Sequence, residues 1–296
     1  MDGILLLDKP AGITSNEALQ RARKLLVARK AGHTGSLDPI ATGLLPLCFG
    51  SSTRWSGYFL GSDKCYKATV RLGETTETGD SEGAVTKRLP VNVTESQVRT
   101  ALQEFLGTRL QVPPMYSAIK VDGQPLYKLA RQGKEIERQA REVTVHELDF
   151  RSYDGRDIEL TLRCSSGFYV RTLATELGER LKTGGHVVGL RRLGVAGLLV
   201  DEALTLDDLE KMAGPAERRS CLGTVGEALD HLPAVELSVD AAFYLCRGQS
   251  VRASNLPGEG SVRLYSSATG FLGVGVVGPH GTVAPERLIS TTTQTG

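Results

Sequence analysis

The sequence predicts an α+β fold in two domains, and three features carry this prediction. Segments that alternate apolar and polar residues, such as KCYKATVRL at 64–72, stand between segments whose apolar residues have helical spacing. The composition changes after Pro233, where the chain becomes rich in glycine and holds short alternating runs. A chain of 296 residues is long enough for one large and one small domain. We therefore expect a large domain at 1–232 and a small, mostly β domain at 233–296.

The chain opens with a predicted strand and a basic helix. GILLL at 3–7 is typical of a short buried strand, and the turn DKPAG follows it. TSNE at 14–17 fits a capping box with Thr14 as the N-cap, so we expect a helix from there to about residue 30. Its cations fit a solvated face and a phosphate-contacting face equally well. They are Arg21, Arg23, Lys24, Arg29 and Lys30.

The middle of the large domain alternates strands and helices. Tyr66 lies on the apolar face of the strand predicted at 64–72. The polar segment GETTETGDSEG that follows predicts turns, and 94–107 predicts a helix. IELTLRC at 158–164 has the alternation of a further strand, and a helix with leucine at every fourth position comes next.

Residues 111–142 differ in sequence pattern from the predicted strands and helices on either side. Two prolines, a DG turn and a short helical pattern indicate an insertion or extended loop rather than a core element. Tyr116 and Tyr127 are interleaved with six cations and four acids, a mixture that suits RNA contact and also suits any solvated loop. The cations are Lys120, Lys128, Arg131, Lys134, Arg138 and Arg141.

Composition and motifs exclude several classes of protein. With a net charge of +1, the chain as a whole has no strong positive field that would indicate a nucleic-acid partner. Any nucleic-acid binding would therefore depend on local basic patches. Five scattered cysteines without zinc spacing indicate a reduced, cytosolic compartment, and no segment predicts a signal peptide or a membrane span. The sequence holds no GxxxxGK[ST], HExxH or GxSxG motif and no GxGxxG that opens a helix, which argues against common nucleotide and metal enzymes.

One short stretch, AGHTGSLDPIATGLLPL at 31–47, carries a single charge at Asp38. Gly35, Pro39 and Gly43 hold this acid in a turn of fixed geometry. Taken alone, such an aspartate is most often structural, as an Asx-turn or a cap. The sequence indicates no second carboxylate beside it, so a paired-carboxylate hydrolase fits poorly.

Several blocks occur in one order along the chain: DKPAGITSNEAL, GHTGSLDPIATGLLPLCFG, KCYKATVRLGETTETGDSEG, PPMYSAIKVDGQPLYKLARQG and CSSGFYVRTLATELGERL. Together they resemble the bacterial tRNA pseudouridine synthases of the TruB type, which act on the T-loop uridine of tRNA. The resemblance spans 3–193 and extends more loosely to a small PUA-like domain at the C-terminus. It implies a mixed, mainly antiparallel sheet, an insertion that clasps the tRNA T stem-loop, no cofactor and no protein partner, in a chain acting as a monomer.

The resemblance also implies roles for residues near the reacting base. Asp38 would be the catalytic aspartate, and Arg171 would form an ion pair that keeps it ionised. Tyr66 would stack on the base and reach the C5 proton. Tyr169 and Leu190 would line the uracil pocket.

Further residues match the family without a catalytic role. His33 would lie against the RNA, near the flipped nucleotide. Lys9 and Pro10 would pack close to the site, and His186 matches a family position without a role that we can derive. Asp38 itself could attack C1′, attack C6, or remove the C2′ proton, and the sequence leaves the three open.

Two alternatives remain at this point. One is an RNA-guided synthase that acts on ribosomal RNA; the full insertion and the lack of a long basic tail argue against it. The other is an RNA-binding or RNA-remodelling protein without activity. The presence of Asp38, Tyr66 and Arg171 argues against the second.

Overall fold

The structure, a computed structural model, describes residues 1–289. The chain divides into two compact units, Met1–Leu222 and a second that starts at Gly223. Both units combine helices and strands, which confirms the predicted α+β class. In the described part of the chain, no helix has the length and apolar character needed to cross a membrane.

The large unit holds most of the regular structure. Its strands are β1 (Gly3–Lys9), β2 (Ala31–His33), β3 (Thr42–Phe49), β4 (Lys64–Leu72), β5 (Glu74–Thr76), β6 (Val85–Arg88), β7 (Gly107–Gln111), β8 (Lys120–Val121), β9 (Gln124–Pro125), β10 (Arg141–Tyr153), β11 (Asp157–Cys164), β12 (Gly185–Val195) and β13 (Leu198–Leu199). Its α-helices are α1 (Ser15–Leu25), α2 (Ser56–Leu60), α3 (Glu95–Gln103), α4 (Leu126–Ala130), α5 (Val170–Arg180), α6 (Leu206–Lys211) and α7 (Pro215–Ser220). Short 3-10 helices lie at Gly50–Trp55 and Val200–Glu202.

A mixed, mainly antiparallel sheet forms the frame of the large unit, as expected. Its strand order is β1-β3-β12-β4-β11-β10-β7, with β2 paired to β3 and β13 paired to β12. The neighbours β3 and β12 run parallel, whereas the other pairs are antiparallel. The hairpins β5–β6 and β8–β9 stand apart from this sheet.

Two apolar cores stabilise the large unit. One joins β4, β10, β11 and β12 to helices α3 and α5, and the other joins β1 and β3 to helices α1 and α6. The alternation predicted for β4 and β11 is seen in their burial: Ala68, Val70 and Leu72 are buried, and every second residue of β11 is buried. Tyr66 and Leu190, which belong to the site described below, pack against both cores.

Helix α1 begins as predicted but ends early. The Thr14 hydroxyl accepts a hydrogen bond from Glu17 N–H at 3.1 Å, so Thr14 is the N-cap. The helix stops at Leu25 rather than near residue 30, because Val27 takes a left-handed conformation with φ of 52°. Arg218 of helix α7 donates to the Leu25 carbonyl at 3.1 Å and so satisfies the freed helix end.

The predicted helix at 94–107 is also shorter, since α3 ends at Gln103 and Gly107 already begins strand β7. The polar segment at 73–83 contains strand β5 and the loop of a hairpin, not only turns. Between β7 and β10 the chain forms the irregular segment 112–140, here called the insertion, which carries only β8, β9 and α4.

The small unit is built on its own sheet. Its strands are β14 (Ala234–Leu237), β15 (Val251–Arg252), β16 (Ser261–Ser266), β17 (Gly270–Gly278) and β18 (Thr282–Leu288), in the order β14-β16-β17-β18-β15. Helices α8 (Val225–Ala228) and α9 (Val239–Leu245) and a 3-10 turn at Pro279–Gly281 complete it. The unit is rich in β-structure, as its glycine-rich alternating runs predict.

Candidate active site

Asp38 lies in the loop between β2 and β3, residues 34–41, here called the Asp38 loop. The first residue of helix α1 holds this loop from one side. The buried Ser15 hydroxyl accepts a hydrogen bond from Leu37 N–H at 2.7 Å and donates one to the Leu37 carbonyl at 3.1 Å. One side chain therefore satisfies both backbone groups of the residue before Asp38.

Lys9 holds the other side of the loop. Its fully buried Nζ donates to the carbonyl oxygens of Pro10 and Ile13, at 2.8 and 2.7 Å, and to that of Pro39 at 3.4 Å. Gly12 N–H donates to the same Pro39 carbonyl at 2.8 Å. Burial lowers the pKa of Lys9 to about 8. Lys9 thus sets the path of the loop through backbone oxygens.

Gly43 ends the motif where strand β12 comes very close. Its φ is +101°, and a Cβ at this position would lie 2.2 Å from the Arg192 carbonyl oxygen. Gly43 and Arg192 are partners in the parallel pairing of β3 and β12. Glycine is needed here because the two backbones touch.

Arg171 approaches Asp38 from the first turn of helix α5. Its Nε lies 3.0 Å from Asp38 Oδ2, and its Nη2 lies 3.3 Å from Oδ1, which gives a two-pronged ion pair. Nη1 also donates to the Thr78 carbonyl at 3.0 Å, and Nη2 donates to the Tyr116 carbonyl at 2.7 Å. The Arg171 side chain is only 6% exposed. This guanidinium therefore joins Asp38 to two other loops.

The fold also brings a second carboxylate to Arg171, which the sequence did not indicate. Asp80 Oδ2 lies 3.6 Å from Arg171 Nε, and the Asp80 side chain is 4% exposed. Thr78 Oγ1 and Glu82 N–H donate to Asp80 Oδ1, at 2.5 and 3.1 Å. The expectation that no second acid lies near Asp38 is corrected here, because the β5–β6 hairpin turns its loop back onto the sheet.

The charges around Asp38 oppose one another. Burial raises the pKa of the Asp38 carboxyl above its usual range, Arg171 works against that rise, and the Asp80 charge adds to it. The Asp38 side chain nevertheless keeps 38% of its surface exposed. The carboxylate is thus fixed by one cation while one side stays open to a substrate, which suits a base or a nucleophile.

Tyr66 and Leu190 lie side by side on adjacent strands. Tyr66 of β4 pairs with Arg192 of β12, and Leu190 pairs with Ala68. Both side chains are partly buried and pack against both apolar cores of the unit. Burial raises the pKa of the Tyr66 hydroxyl, and the charge of Asp38 raises it further, so Tyr66 is a neutral phenol near the carboxylate.

Tyr169 immediately precedes helix α5 and is held by its backbone. Its N–H donates to Gln111 Oε1 at 2.8 Å, and Gln111 Nε2 donates to its carbonyl at 3.2 Å. Burial raises the pKa of the Tyr169 hydroxyl. Gln111, buried at the end of β7, therefore fixes the position from which Tyr169 extends.

The two motif histidines lie apart from the ion pair. His33 is on the short strand β2, and its pKa is lowered by burial and by the charge of Arg192. His186 is buried on β12, with its Nδ1 3.1 Å from the Glu74 carbonyl oxygen. It therefore supports the start of the hairpin that carries Asp80.

The structure thus gathers most of the predicted site residues at one place and leaves His33 at its edge. Ser15, Gln111 and Asp80 also belong to the site, and the sequence did not single them out. Each is a polar residue at the end of an element or in a turn, where such residues are common for structural reasons. Among residues 1–289, no group of three or more His, Cys, Asp or Glu side chains could hold a metal ion.

Comparison with protein families gives three consecutive matches. Residues 23–170 match the N-terminal domain of the TruB family of pseudouridylate synthases. Residues 171–232 match the C-terminal domain of tRNA pseudouridylate synthase B, and residues 233–289 match the C-terminal model of pseudouridine synthase II TruB.

Curated relatives cover almost the whole chain. The tRNA pseudouridine synthase B of Methylobacillus flagellatus is 49% identical over 289 residues, which is 98% of this chain and 95% of the relative. The protein of the same name from Stutzerimonas stutzeri is 48% identical over 98% of this chain and 96% of its own length. That from Aromatoleum aromaticum is 50% identical over 98% and 94%.

Solved structures share the fold at lower identity. A chain of a Cbf5-Nop10-Gar1 complex superposes with a TM-score of 0.75 at 23% identity, over 97% of this chain and 84% of that one. A chain of an H/ACA RNP bound to a substrate RNA gives 0.73 at 22% identity, over 97% and 84%. The family matches and the full-length relatives agree with the motifs, and the chain therefore belongs to the TruB family of pseudouridylate synthases.

Proposed function

We propose that this chain converts the T-loop uridine of tRNA, at position 55, to pseudouridine. The observation that carries the proposal is the ion pair between Asp38 and Arg171, which holds one half-open carboxylate beside Tyr66 and Tyr169. The relatives are named tRNA pseudouridine synthase B, which supports tRNA as the substrate. The T-loop target rests on the motif resemblance.

The reaction is an isomerisation, so its atoms balance without a donor. The N1–C1′ bond breaks, the base turns while it stays bound, and C1′ bonds to C5. The proton on C5 leaves, and N1 gains one. Asp38 would start this sequence by attacking C1′, attacking C6 or removing the C2′ proton, and each of these requires the ionised carboxylate.

The other site residues act on the base and on Asp38. Arg171 keeps Asp38 ionised and oriented, with Asp80 adjusting the position of its guanidinium. Tyr66 stacks on the uracil and its hydroxyl lies near C5, while Tyr169 and Leu190 complete the walls of the pocket. His33 stacks or hydrogen-bonds with RNA as the uridine leaves the loop.

RNA binding would use surfaces outside this pocket. The insertion exposes Lys120, Lys128 and Lys134, which can contact the phosphates of the T stem-loop. We assign a PUA-like RNA-binding role to the domain at 233–296 and expect the chain to act as a monomer. Its five free cysteines suit a reducing compartment, so we place it in the cytoplasm.

A tritium-release assay tests the proposal. Purified protein is incubated with an unmodified tRNA transcript that carries tritium at C5 of uridine, without any guide RNA. We expect tritium to be released as water, and we expect Asp38→Asn to lower the rate by at least about 1000-fold while tRNA binding persists. Asp149→Asn, a change at an exposed aspartate of strand β10, is the matched control and should keep the wild-type rate.

Three outcomes would contradict parts of this proposal. No release by the wild-type chain would favour an RNA-binding protein without activity. Release that depends on an added guide RNA would favour an RNA-guided synthase. Release that survives Asp38→Asn would remove the role given to Asp38.

A further inference from the structure

Arg192 on strand β12 is a buried cation that the proposed reaction does not use. Its side chain ranks among the largest fully buried ones, and the residue is 1% exposed. Within residues 1–289, no carboxylate oxygen lies within 4.0 Å of its guanidinium. A buried charge without an opposite charge is costly, so other contacts have to account for its presence.

The guanidinium of Arg192 donates to two backbone carbonyls near the site and lies across the sheet from Tyr66. Nε donates to the Leu44 carbonyl at 2.7 Å, and Nη2 donates to the Gly35 carbonyl at 3.3 Å. Tyr66 is the cross-strand partner of Arg192 in the β4–β12 pairing, so the two side chains project from the same face of the sheet, and the charge of Arg192 acts on the Tyr66 hydroxyl. Arg192 therefore joins the start of the Asp38 loop to the tyrosine beside Asp38.

The chemistry of Arg192 and Tyr66 allows a hydrogen bond between them in one direction only. A guanidinium has donors and no acceptor, so the Tyr66 oxygen must accept from Arg192. The proton of the Tyr66 hydroxyl then has to point away from Arg192. We place the uridine pocket on that side, because the charge of Asp38 also acts on the Tyr66 hydroxyl and raises its pKa.

We propose that Arg192 is a positioning residue that makes Tyr66 a hydrogen-bond donor toward the bound uridine and holds its ring in the stacking orientation. This inference rests on the proposed function, since it concerns the tyrosine that would contact the base. It predicts that Arg192 acts on the rate through the hydroxyl of Tyr66.

A double-mutant cycle tests this route. Single-turnover tritium release is measured for wild type, Arg192→Met, Tyr66→Phe and the double variant, with C5-labelled tRNA transcript at saturating enzyme. We expect Arg192→Met to lower the rate about 10- to 100-fold, the value of one charge-assisted hydrogen bond, and to leave the Kd for tRNA within about twofold. In the Tyr66→Phe background, the same change should alter the remaining rate by less than about threefold.

A matched control separates this effect from lost stability. Lys64 is another buried cation of the same sheet, and within residues 1–289 its Nζ donates to the Leu60 and Ser62 carbonyls alone, at 2.7 and 2.6 Å. Lys64→Met should lower the melting temperature, yet the rate per folded molecule should stay within about threefold of wild type. If Arg192→Met does not fold, Arg192→Lys replaces it in the cycle. Lysine keeps the charge but has one nitrogen where arginine has three, so the rate should fall similarly.

The outcomes of the cycle are distinct. The inference would be overturned if Arg192→Met, or Arg192→Lys in its place, lowered the rate by the same factor with and without the Tyr66 hydroxyl. Arg192 would then act on the Asp38 loop alone. A loss confined to tRNA affinity would overturn it as well. Failure of the wild-type chain to release tritium would instead refute the proposed function on which the inference rests.

Discussion

The Asp38 loop and the insertion are attached to the large unit in opposite ways. The backbone of the Asp38 loop is hydrogen-bonded on both sides of Asp38, by Ser15 and Lys9. The bonds of the insertion lie mostly within the insertion, as between Leu126 N–H and the Ile119 carbonyl, and its lysines are exposed. The Asp38 loop is held in place through its backbone, and the insertion offers charge at the surface.

This difference indicates a division between chemistry and binding. A carboxylate that reacts with one atom needs fixed geometry, because small displacements lower the rate steeply. Lysines that neutralise phosphates act over several ångströms and tolerate motion. Changes around the Asp38 loop should therefore alter the rate of the bound complex, and changes in the insertion should alter affinity.

Among changes around the Asp38 loop that leave Asp38 itself in place, the largest effect is expected at Asp80. Asp80→Asn removes the charge beside Arg171, so the ion pair with Asp38 loses part of its alignment. We expect the single-turnover rate to fall about 10- to 100-fold, with tRNA affinity nearly unchanged. Glu77→Gln, an exposed acid of the same hairpin, is the control and should leave the rate unchanged.

The same variant has a predicted pH dependence. The Asp80 charge raises the pKa of Asp38, so its removal lowers that pKa. Activity needs ionised Asp38 and is lost as the pH falls through its pKa. The acid limb of the rate profile should therefore move to lower pH in Asp80→Asn, and a shift to higher pH would show that the two acids do not interact as described.

A smaller effect is expected at Ser15. Ser15→Ala leaves the buried N–H and carbonyl of Leu37 without partners, which should lower the free energy of unfolding by about 2 kcal/mol and the rate about tenfold. Ser96→Ala, at an exposed first-turn serine of helix α3, should change neither the free energy of unfolding nor the activation free energy by more than about 0.5 kcal/mol. Chemical denaturation and tritium release measure the two quantities. An unchanged rate in a destabilised Ser15→Ala would mean that the loop keeps its geometry without this hydroxyl.

The smallest effect on the rate is expected in the insertion. Lys128→Gln combined with Lys134→Gln should weaken tRNA binding and reduce the slope of log affinity against log salt by about two, while the rate at saturating enzyme stays the same. Filter binding at several salt concentrations measures the slope. Lys87→Gln combined with Lys211→Gln removes two exposed cations elsewhere and should leave it unchanged. A slope that does not change in the insertion variant would remove these lysines from the RNA interface.

Local patterns predicted the frame of the large unit well. Alternation located strands β4 and β11, and the Thr14 cap located the start of helix α1. The end of that helix was not predicted; its Leu25 carbonyl is satisfied by Arg218, which lies 193 residues further along the chain. Helix ends that are satisfied by distant side chains leave no local signal.

The site residues were predictable only where they belong to a family motif. Asp38 and Arg171 are 133 residues apart, and nothing in their spacing joins them; the family resemblance did. Asp80 was missed because a polar hairpin loop looks the same whether it faces solvent or folds back onto the sheet. Gln111 was missed because its amide acts on the backbone of Tyr169, a contact that only the tertiary fold creates.

The hydrogen bond from Arg171 to the Tyr116 carbonyl bears on how this scaffold could be redesigned. Tyr116, near the start of the insertion, therefore helps to hold Arg171 in the ion pair. The turn of the β8–β9 hairpin around Gly123 is exposed and lies outside that contact. A graft that exchanges the tip could change which RNA is recognised, provided that the backbone at Tyr116 and Ser117 keeps its course. Substrate choice and catalytic geometry would then be separately exchangeable parts of one segment.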